Sequence, residues 1–94
     1  MKVYIGEKVD LTETISLLYV KQLSASTHVI NVCMASSCGC SLEACSSEQT
    51  ELYDGYKREW VLRVGEYILV LTDIQSLTDY KGKYLIFKYY IESL

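Results

Sequence analysis

The feature that most constrains the fold is the alternation of apolar and polar side chains, with a period of two residues, along residues 56–64. Successive side chains of a β-strand point to opposite faces of a sheet, so this pattern predicts a strand with one face in the core and Trp60 at its centre. Asp54-Gly55 precedes the run and Gly65-Glu66 follows it. These dipeptides are typical of two-residue hairpin turns, of type I′ and type II′ respectively.

The same pattern extends the predicted sheet toward residue 91. Residues 67–71 are apolar on both faces, which predicts a central strand covered on both sides. Residues 83–91 alternate again and have two chemically different faces. One face contains Leu85, Phe87, Tyr89 and Ile91, and the other contains Tyr84, Ile86, Lys88 and Tyr90. Residues 50–91 are therefore predicted to form an antiparallel meander, in which residues 73–82 are a connection.

The first half of the chain has two interpretations. Residues 10–23 alternate like a strand, but they also place three apolar side chains on one side of a helix, Leu11, Ile15 and Leu18. We expect the helix, because fourteen residues is long for a strand and because a sheet needs its apolar face covered. The predicted fold class is therefore α+β, with a meander of about five to six strands and the helix of residues 10–23 on one face. The alternative is an all-β small barrel.

Composition limits the class of protein. Half of the 94 residues are hydrophobic and 22% are charged, which excludes an intrinsically disordered chain and predicts one globular domain over residues 1–94. No apolar run approaches the ~20 residues that span a bilayer, and the first residues do not resemble a signal peptide. We therefore expect a cytoplasmic protein without membrane association. The net charge of −3 argues against a nucleic-acid partner.

Four cysteines lie close together with the spacing C-x4-C-x-C-x4-C, namely Cys33, Cys38, Cys40 and Cys45. Four thiolates are sufficient for a tetrahedral Zn²⁺ site, and a metal would stabilise so small a domain. Zinc is therefore the candidate cofactor, although the usual spacing is two separate C-x2-C pairs. Disulfides and four reduced thiols in a Ser-rich loop remain as alternatives.

The sequence contains no catalytic motif, and we do not expect an enzyme. The single histidine, His28, shares a predicted strand face with Ile30 and Val32, whereas Cys33 points to the opposite face. Alternation therefore separates the imidazole from the nearest thiol, which predicts a packed or edge histidine and not a nucleophilic pair.

Nine tyrosines point to a different function, because tyrosine buries a large area at protein interfaces and keeps a polar group. The candidate partner-binding residues are Tyr84, Ile86 and Tyr90 on the last strand and Tyr53 and Tyr56 beside the Asp-Gly turn. We expect a non-enzymatic interaction module that binds a protein partner or a second copy through this sheet face or an edge. Such modules include regulators, adaptors and the inhibitors of viruses and mobile elements. A small zinc-binding domain is the alternative function.

Overall fold

The computed structural model of the chain describes residues 1–35, 43–45, 50–53 and 59–93. All regular secondary structure in these ranges is β-strand, arranged in two antiparallel sheets. The first five strands are β1 (Lys2–Tyr4), β2 (Lys8–Asp10), β3 (Ile15–Gln22), β4 (Thr27–Ala35) and β5 (Glu43–Cys45). The next four are β6 (Thr50–Tyr53), β7 (Trp60–Val64), β8 (Tyr67–Asp79) and β9 (Gly82–Ser93).

The first sheet has the strand order β1-β9-β8-β7. Its strands β7, β8 and β9 follow one another as hairpins, and β8 is central, as the sequence predicted. Val64 pairs with Tyr67, so Gly65-Glu66 is the predicted two-residue turn, and the φ of +60° at Gly65 is the conformation that such a turn requires of its first residue. Strand β1 comes from the other end of the sequence and pairs with β9.

The second sheet has the order β2-β3-β4-β5, and β6 also pairs with β4. Strand β3 occupies one edge of β4 along most of its length. The other edge is shared by two short strands: β6 pairs with the segment from Thr27 to Ile30, and β5 pairs with the segment from Cys33 to Ala35. Strand β4 is therefore central, which accounts for its apolar composition.

One hydrophobic core lies between the inner faces of the two sheets. Alternation sends Leu69 and Leu71 of β8 into it from the first sheet, and Leu17 and Ile30 from the second. Burial of each such side chain contributes about 1.5–3 kcal/mol, so this core is the main stabilising feature of the fold.

The helix predicted for residues 10–23 is wrong, and so is the α+β class. Residues 15–22 form β3 instead, and its residues Ile15, Leu17 and Tyr19 alternate into the core. The helix was expected because the apolar face of a sheet needs cover, but here the second sheet supplies that cover. The class of the alternative, all-β, agrees with the structure, although the strands form two sheets.

The meander is also shorter at its start than predicted. Strand β6 pairs with β4 of the second sheet and not with β7, so the meander begins at Trp60. Leu52 of β6 is buried in the core, and the choice of its partner strand is a long-range effect that local alternation does not reveal. The predicted Asp54-Gly55 turn lies outside the described residues.

Residues 73–79, predicted to be a connection, instead continue β8. The register shifts between Thr72 and Gln75, so that Asp73 and Ile74 together oppose one residue of β9. This is a β-bulge, and the φ of +52° at Asp73 is consistent with it. The extra residue inverts the sequence alternation, which is why Leu71 and Ile74 both reach the core although they are three residues apart.

Candidate functional site

The outer face of the first sheet carries most of the predicted partner-binding residues. Leu85 and Phe87 of β9 are buried in the core, and alternation therefore places Tyr84, Ile86 and Tyr90 on the outside, as the sequence predicted. Tyr90 is 43% exposed, and Tyr84 and Ile86 are half-buried. An aromatic and aliphatic surface of this kind on an outer sheet face has no structural role in the core.

Neighbouring strands extend this surface, because residues directly opposite one another in a sheet point to the same face. Tyr84 lies between Tyr4 of β1 and Leu77 of β8. Tyr90 lies opposite Val70, which in turn lies opposite Val61 of β7. The result is two apolar rows, which together with Ile86 we call the tyrosine face, defined by Tyr4, Val61, Leu77, Tyr84, Ile86 and Tyr90.

Each row contains exposed side chains, although Val70, between Tyr90 and Val61, is itself buried. Val61 is 62% exposed and Leu77 is 42% exposed, whereas Leu85 and Phe87 on the core face of β9 are buried. Between the rows lies a polar strip, in which Lys88 Nζ is 3.6 Å from Asp73 Oδ2. Both side chains of this ion pair are largely exposed, so it contributes little to stability. The tyrosine face therefore has apolar side chains at both ends and a pair of charged side chains between them.

Hydrogen bonds hold one end of the tyrosine face in place. Tyr4 Oη donates to Asp79 Oδ2 at 2.5 Å, and Lys2 Nζ donates to the same oxygen at 3.3 Å. The backbone N–H of Lys81 donates to Asp79 Oδ1 at 2.8 Å. The Tyr4 hydrogen bond is the main cause of a lowered pKa at Asp79, and the same bond raises the pKa of Tyr4. The carboxylate thus joins β1 to the β8–β9 turn.

Aromatic contacts fix the same end. The ring centroids of Tyr4 and Tyr84 are 5.3 Å apart with the rings tilted. Lys2 Nζ lies 4.2 Å from the centroid of Tyr84 and 5.0 Å from that of Tyr4. An ammonium at this distance from a ring face is attracted to it, so Lys2 restrains both rings. These rings are therefore ordered before any partner arrives.

The other end of the face is ordered by Tyr90. Its Oη donates to Glu59 Oε1 at 3.2 Å. Partial burial of the phenol, followed by this carboxylate, raises the pKa of Tyr90. The phenol therefore stays neutral through the physiological pH range, and its ring is partly exposed at the surface.

The remaining predicted partner-binding residues do not join this surface. Tyr53 belongs to β6 of the second sheet, where its backbone lies opposite Thr27, and its side chain is outside the described part of the chain. Tyr56 also lies outside the described residues. Val61 was not among the predicted residues, although the alternation of residues 56–64 puts it on the face opposite Trp60. Tyr4 was not predicted either, because the pairing of the first and last strands is not a local signal.

The structure describes the side chain of one of the four predicted zinc ligands, Cys33. Cys33 is fully buried on β4 and is disulfide-bonded. A disulfide sulfur is not a thiolate and does not ligate zinc in that state. Cys38 and Cys40 lie outside the described residues, as does the side chain of Cys45. Within the described ranges, no three His, Cys, Asp or Glu side chains form a group that could hold a metal. The four-cysteine zinc site stays a prediction.

His28 occupies the position that strand alternation gave it. It is fully buried on the core face of β4, and its Nδ1 is 2.7 Å from Tyr19 Oη. Cys33 lies at an odd-numbered position of the same strand and faces the other way. The structure therefore does not bring the imidazole and this sulfur together.

No family model, curated protein or solved structure matches the chain. The surface and its chemistry are consequently the basis for a functional proposal. In the part of the chain that the structure describes, no helix has the length and apolar character needed to cross a membrane.

Proposed function

We propose that the protein is a small non-enzymatic interaction module, a regulator, inhibitor or adaptor, that binds a protein partner through the tyrosine face. The observation that supports this most is the set of exposed apolar side chains, Val61, Leu77 and Tyr90, on the outside of a sheet whose inner face already forms the core. Exposed apolar side chains scattered singly are ordinary, but several on one sheet face, beside half-buried aromatic side chains, are typical of an interaction surface.

The rigidity of the face favours binding. Its side chains stand on the paired strands β1, β9, β8 and β7, and two of its rings are held by Lys2 and Asp79. A partner that docks on ordered side chains loses less conformational entropy than one that must order them. Tyrosine adds a large contact area with few rotatable bonds and a hydroxyl for hydrogen bonding.

The partner surface should match the chemistry of the face. We expect the partner to have two apolar side chains that pack on the two rows. Between them it should have polar groups that replace the water around Lys88 and Asp73. Both signs of charge are present in that strip, so the face does not select strongly for an acidic or a basic partner.

The test is a double substitution, Tyr84→Ser with Tyr90→Ser, which removes one ring from each row. We expect the affinity for a partner purified from the native host to fall at least about tenfold, because aromatic anchors supply most of the binding energy. Isothermal titration or biolayer interferometry measures the affinity. Far-UV circular dichroism verifies that the variant is folded.

The matched control is Tyr80→Ser. Tyr80 is 91% exposed at the β8–β9 turn and is not part of the tyrosine face. This variant should bind like the wild type. If the double variant binds as tightly as the wild type, or if Tyr80→Ser weakens binding to the same degree, the proposed surface is wrong.

A further inference from the structure

The disulfide of Cys33 requires a second cysteine, and the chain offers Cys38, Cys40 and Cys45. The strand register separates these candidates. Cys45 is the residue of β5 directly opposite Cys33 of β4 in an antiparallel pair. Residues in that relation have Cα atoms about 4.5–5.5 Å apart and side chains on the same face. A disulfide spans Cα separations of about 4.4–6.8 Å, so the register suits this bond.

We propose that Cys33 and Cys45 form a cross-strand disulfide that acts as a redox-controlled lock on the edge of the second sheet. The lock joins β5 to β4. Strand β5 has only three residues, and β4 is its one partner among the described strands. So short an edge strand makes few hydrogen bonds, and a covalent bond at one of its residues changes how firmly it is held.

The chemistry of closing the lock balances with a low-molecular-weight disulfide, such as oxidised glutathione, as the oxidant. One cysteine thiolate attacks a sulfur of the oxidant and displaces one small thiol, which leaves a mixed disulfide on the protein. The other thiolate attacks the protein sulfur of that mixed disulfide and displaces the second small thiol. The two protein thiols lose two protons and two electrons, and the oxidant is reduced to two thiols.

The bond also has a consequence for the predicted zinc site, which differs between the oxidised and the reduced protein. In the oxidised state the sulfurs of Cys33 and Cys45 are joined, so a site that uses all four cysteines as thiolates exists only after reduction. The segment enclosed by the bond, residues 34–44, contains Cys38 and Cys40. Reduction therefore releases β5 and converts Cys33 and Cys45 to thiols at the same time.

Mass spectrometry of the full chain tests the pairing. The protein is denatured in the presence of N-ethylmaleimide, which alkylates free thiols, and is then digested without reduction. Trypsin leaves all four cysteines in one peptide, because residues 25–54 contain no Lys or Arg, whereas cleavage after Glu43 separates Cys45 from the other three. We expect Cys33 and Cys45 in linked peptides, with Cys38 and Cys40 both alkylated. Four alkylated cysteines, or a link from Cys33 to Cys38 or Cys40, would overturn the proposal.

Two variants give an independent check of the pairing. Cys38→Ser with Cys40→Ser keeps both proposed partners and should show no free thiol under denaturing titration. Cys45→Ser removes one partner and should leave Cys33 titratable. If the first variant titrates as two free thiols, the Cys33–Cys45 bond does not form.

Hydrogen exchange tests whether the bond acts as a lock. In the Cys38→Ser, Cys40→Ser background, the oxidised and reduced proteins are compared over peptides that contain residues 33–35 and 43–45. We expect exchange there to become at least about tenfold faster on reduction, while residues 69–71 of the first sheet stay unchanged. Equal exchange in the two states would show that the bond does not control the edge.

Discussion

At the scale of single residues, the hydroxyl of Tyr4 links a sheet face to a turn through Asp79. Tyr4→Phe removes this donor and should raise the pKa of Asp79 toward its ordinary value of 3.8. NMR titration of the Asp79 carboxyl carbon measures the change. Tyr80→Phe is the control and should leave this pKa unaltered. An unchanged pKa in Tyr4→Phe would show that the hydroxyl does not stabilise the carboxylate.

The direction of the pH dependence follows from the same contact. The pKa of Asp79 is lower in the folded state than in the unfolded state. Its carboxylate therefore stabilises the fold at pH values above the unfolded pKa, and this stabilisation is lost as the pH falls through the folded pKa. Tyr4 behaves in the opposite sense, because its pKa is raised: its contribution is complete below pH 10.0 and is lost as the pH rises through the folded value. The contact is therefore intact at neutral pH and weakens at both extremes.

A second residue-scale prediction concerns the buried hydrogen bond between Tyr19 and His28. Tyr19→Phe keeps the ring and removes the hydroxyl, and we expect the free energy of unfolding to fall by about 1–2 kcal/mol. Urea denaturation followed by Trp60 fluorescence measures it. The exposed Tyr80→Phe should change stability by less than about 0.5 kcal/mol. Equal stability of the two variants would contradict the prediction.

At the scale of elements, the β7–β8 turn depends on Gly65. Its φ is +60°, and a Cβ added there would lie 2.9 Å from Met34 Cε of the second sheet. Gly65→Ala should therefore destabilise the fold by about 1–2 kcal/mol, mostly through the left-handed backbone conformation, because the end of a methionine side chain can move.

Gly6→Ala is the matched comparison for that turn. Gly6 also has a positive φ, of +82°, but an added Cβ would meet nothing within 4 Å. Thermal or urea unfolding of both variants separates backbone strain, common to the two, from the Met34 contact, which only Gly65 has. If Gly65→Ala is as stable as the wild type, the turn conformation is not the one described.

The proposed Cys33–Cys45 bond also has an element-scale consequence for stability. In the chain-entropy description, a bond that closes a loop of this size stabilises a fold by about 3 kcal/mol. Cys45→Ser should therefore lower the unfolding free energy by roughly 2–4 kcal/mol, measured by urea denaturation without reductant. Cys38→Ser with Cys40→Ser should change it little. A Cys45→Ser variant as stable as the wild type would contradict this prediction.

Elements were predictable from the sequence where their signals were local. The alternation of Trp60 to Val64, the Gly65 turn and the two faces of β9 are all contained in short windows, and the structure has each of them. The extension of β8 past Thr72 was not predictable in this way, because the bulge at Asp73 inverts the alternation. Strand β3 was assigned to a helix because short apolar runs fit both periods.

At the scale of the whole molecule, the long-range pairings were the part that sequence alone did not reveal. β1 pairs with β9 and β6 pairs with β4, and nothing in the local pattern of either short strand identifies its partner. This explains why the tyrosine face was predicted only in part: Tyr84, Ile86 and Tyr90 share one strand, whereas Tyr4 arrives from the far end of the chain.

The same topology predicts slow folding. Pairing the first strand with the last requires closure of nearly the whole chain before those hydrogen bonds form. We expect a folding time in the range of milliseconds to seconds, as for other all-β domains, measured by stopped-flow dilution from urea with Trp60 fluorescence. The control is Tyr80→Ser, whose exposed side chain should not alter the rate. Folding within microseconds would contradict the described strand order.

The bulge in β8 also determines where this chain tolerates a change in length. Asp73 and Ile74 together lie opposite one residue of β9, so one of the two is extra. Deletion of Asp73 alone would make β8 a regular strand, in which Leu71 and Ile74 still point into the core and Leu77 still points outward. Loss of Val70 would instead turn Leu71 outward. A shortened relative of this protein is thus most easily derived at Asp73.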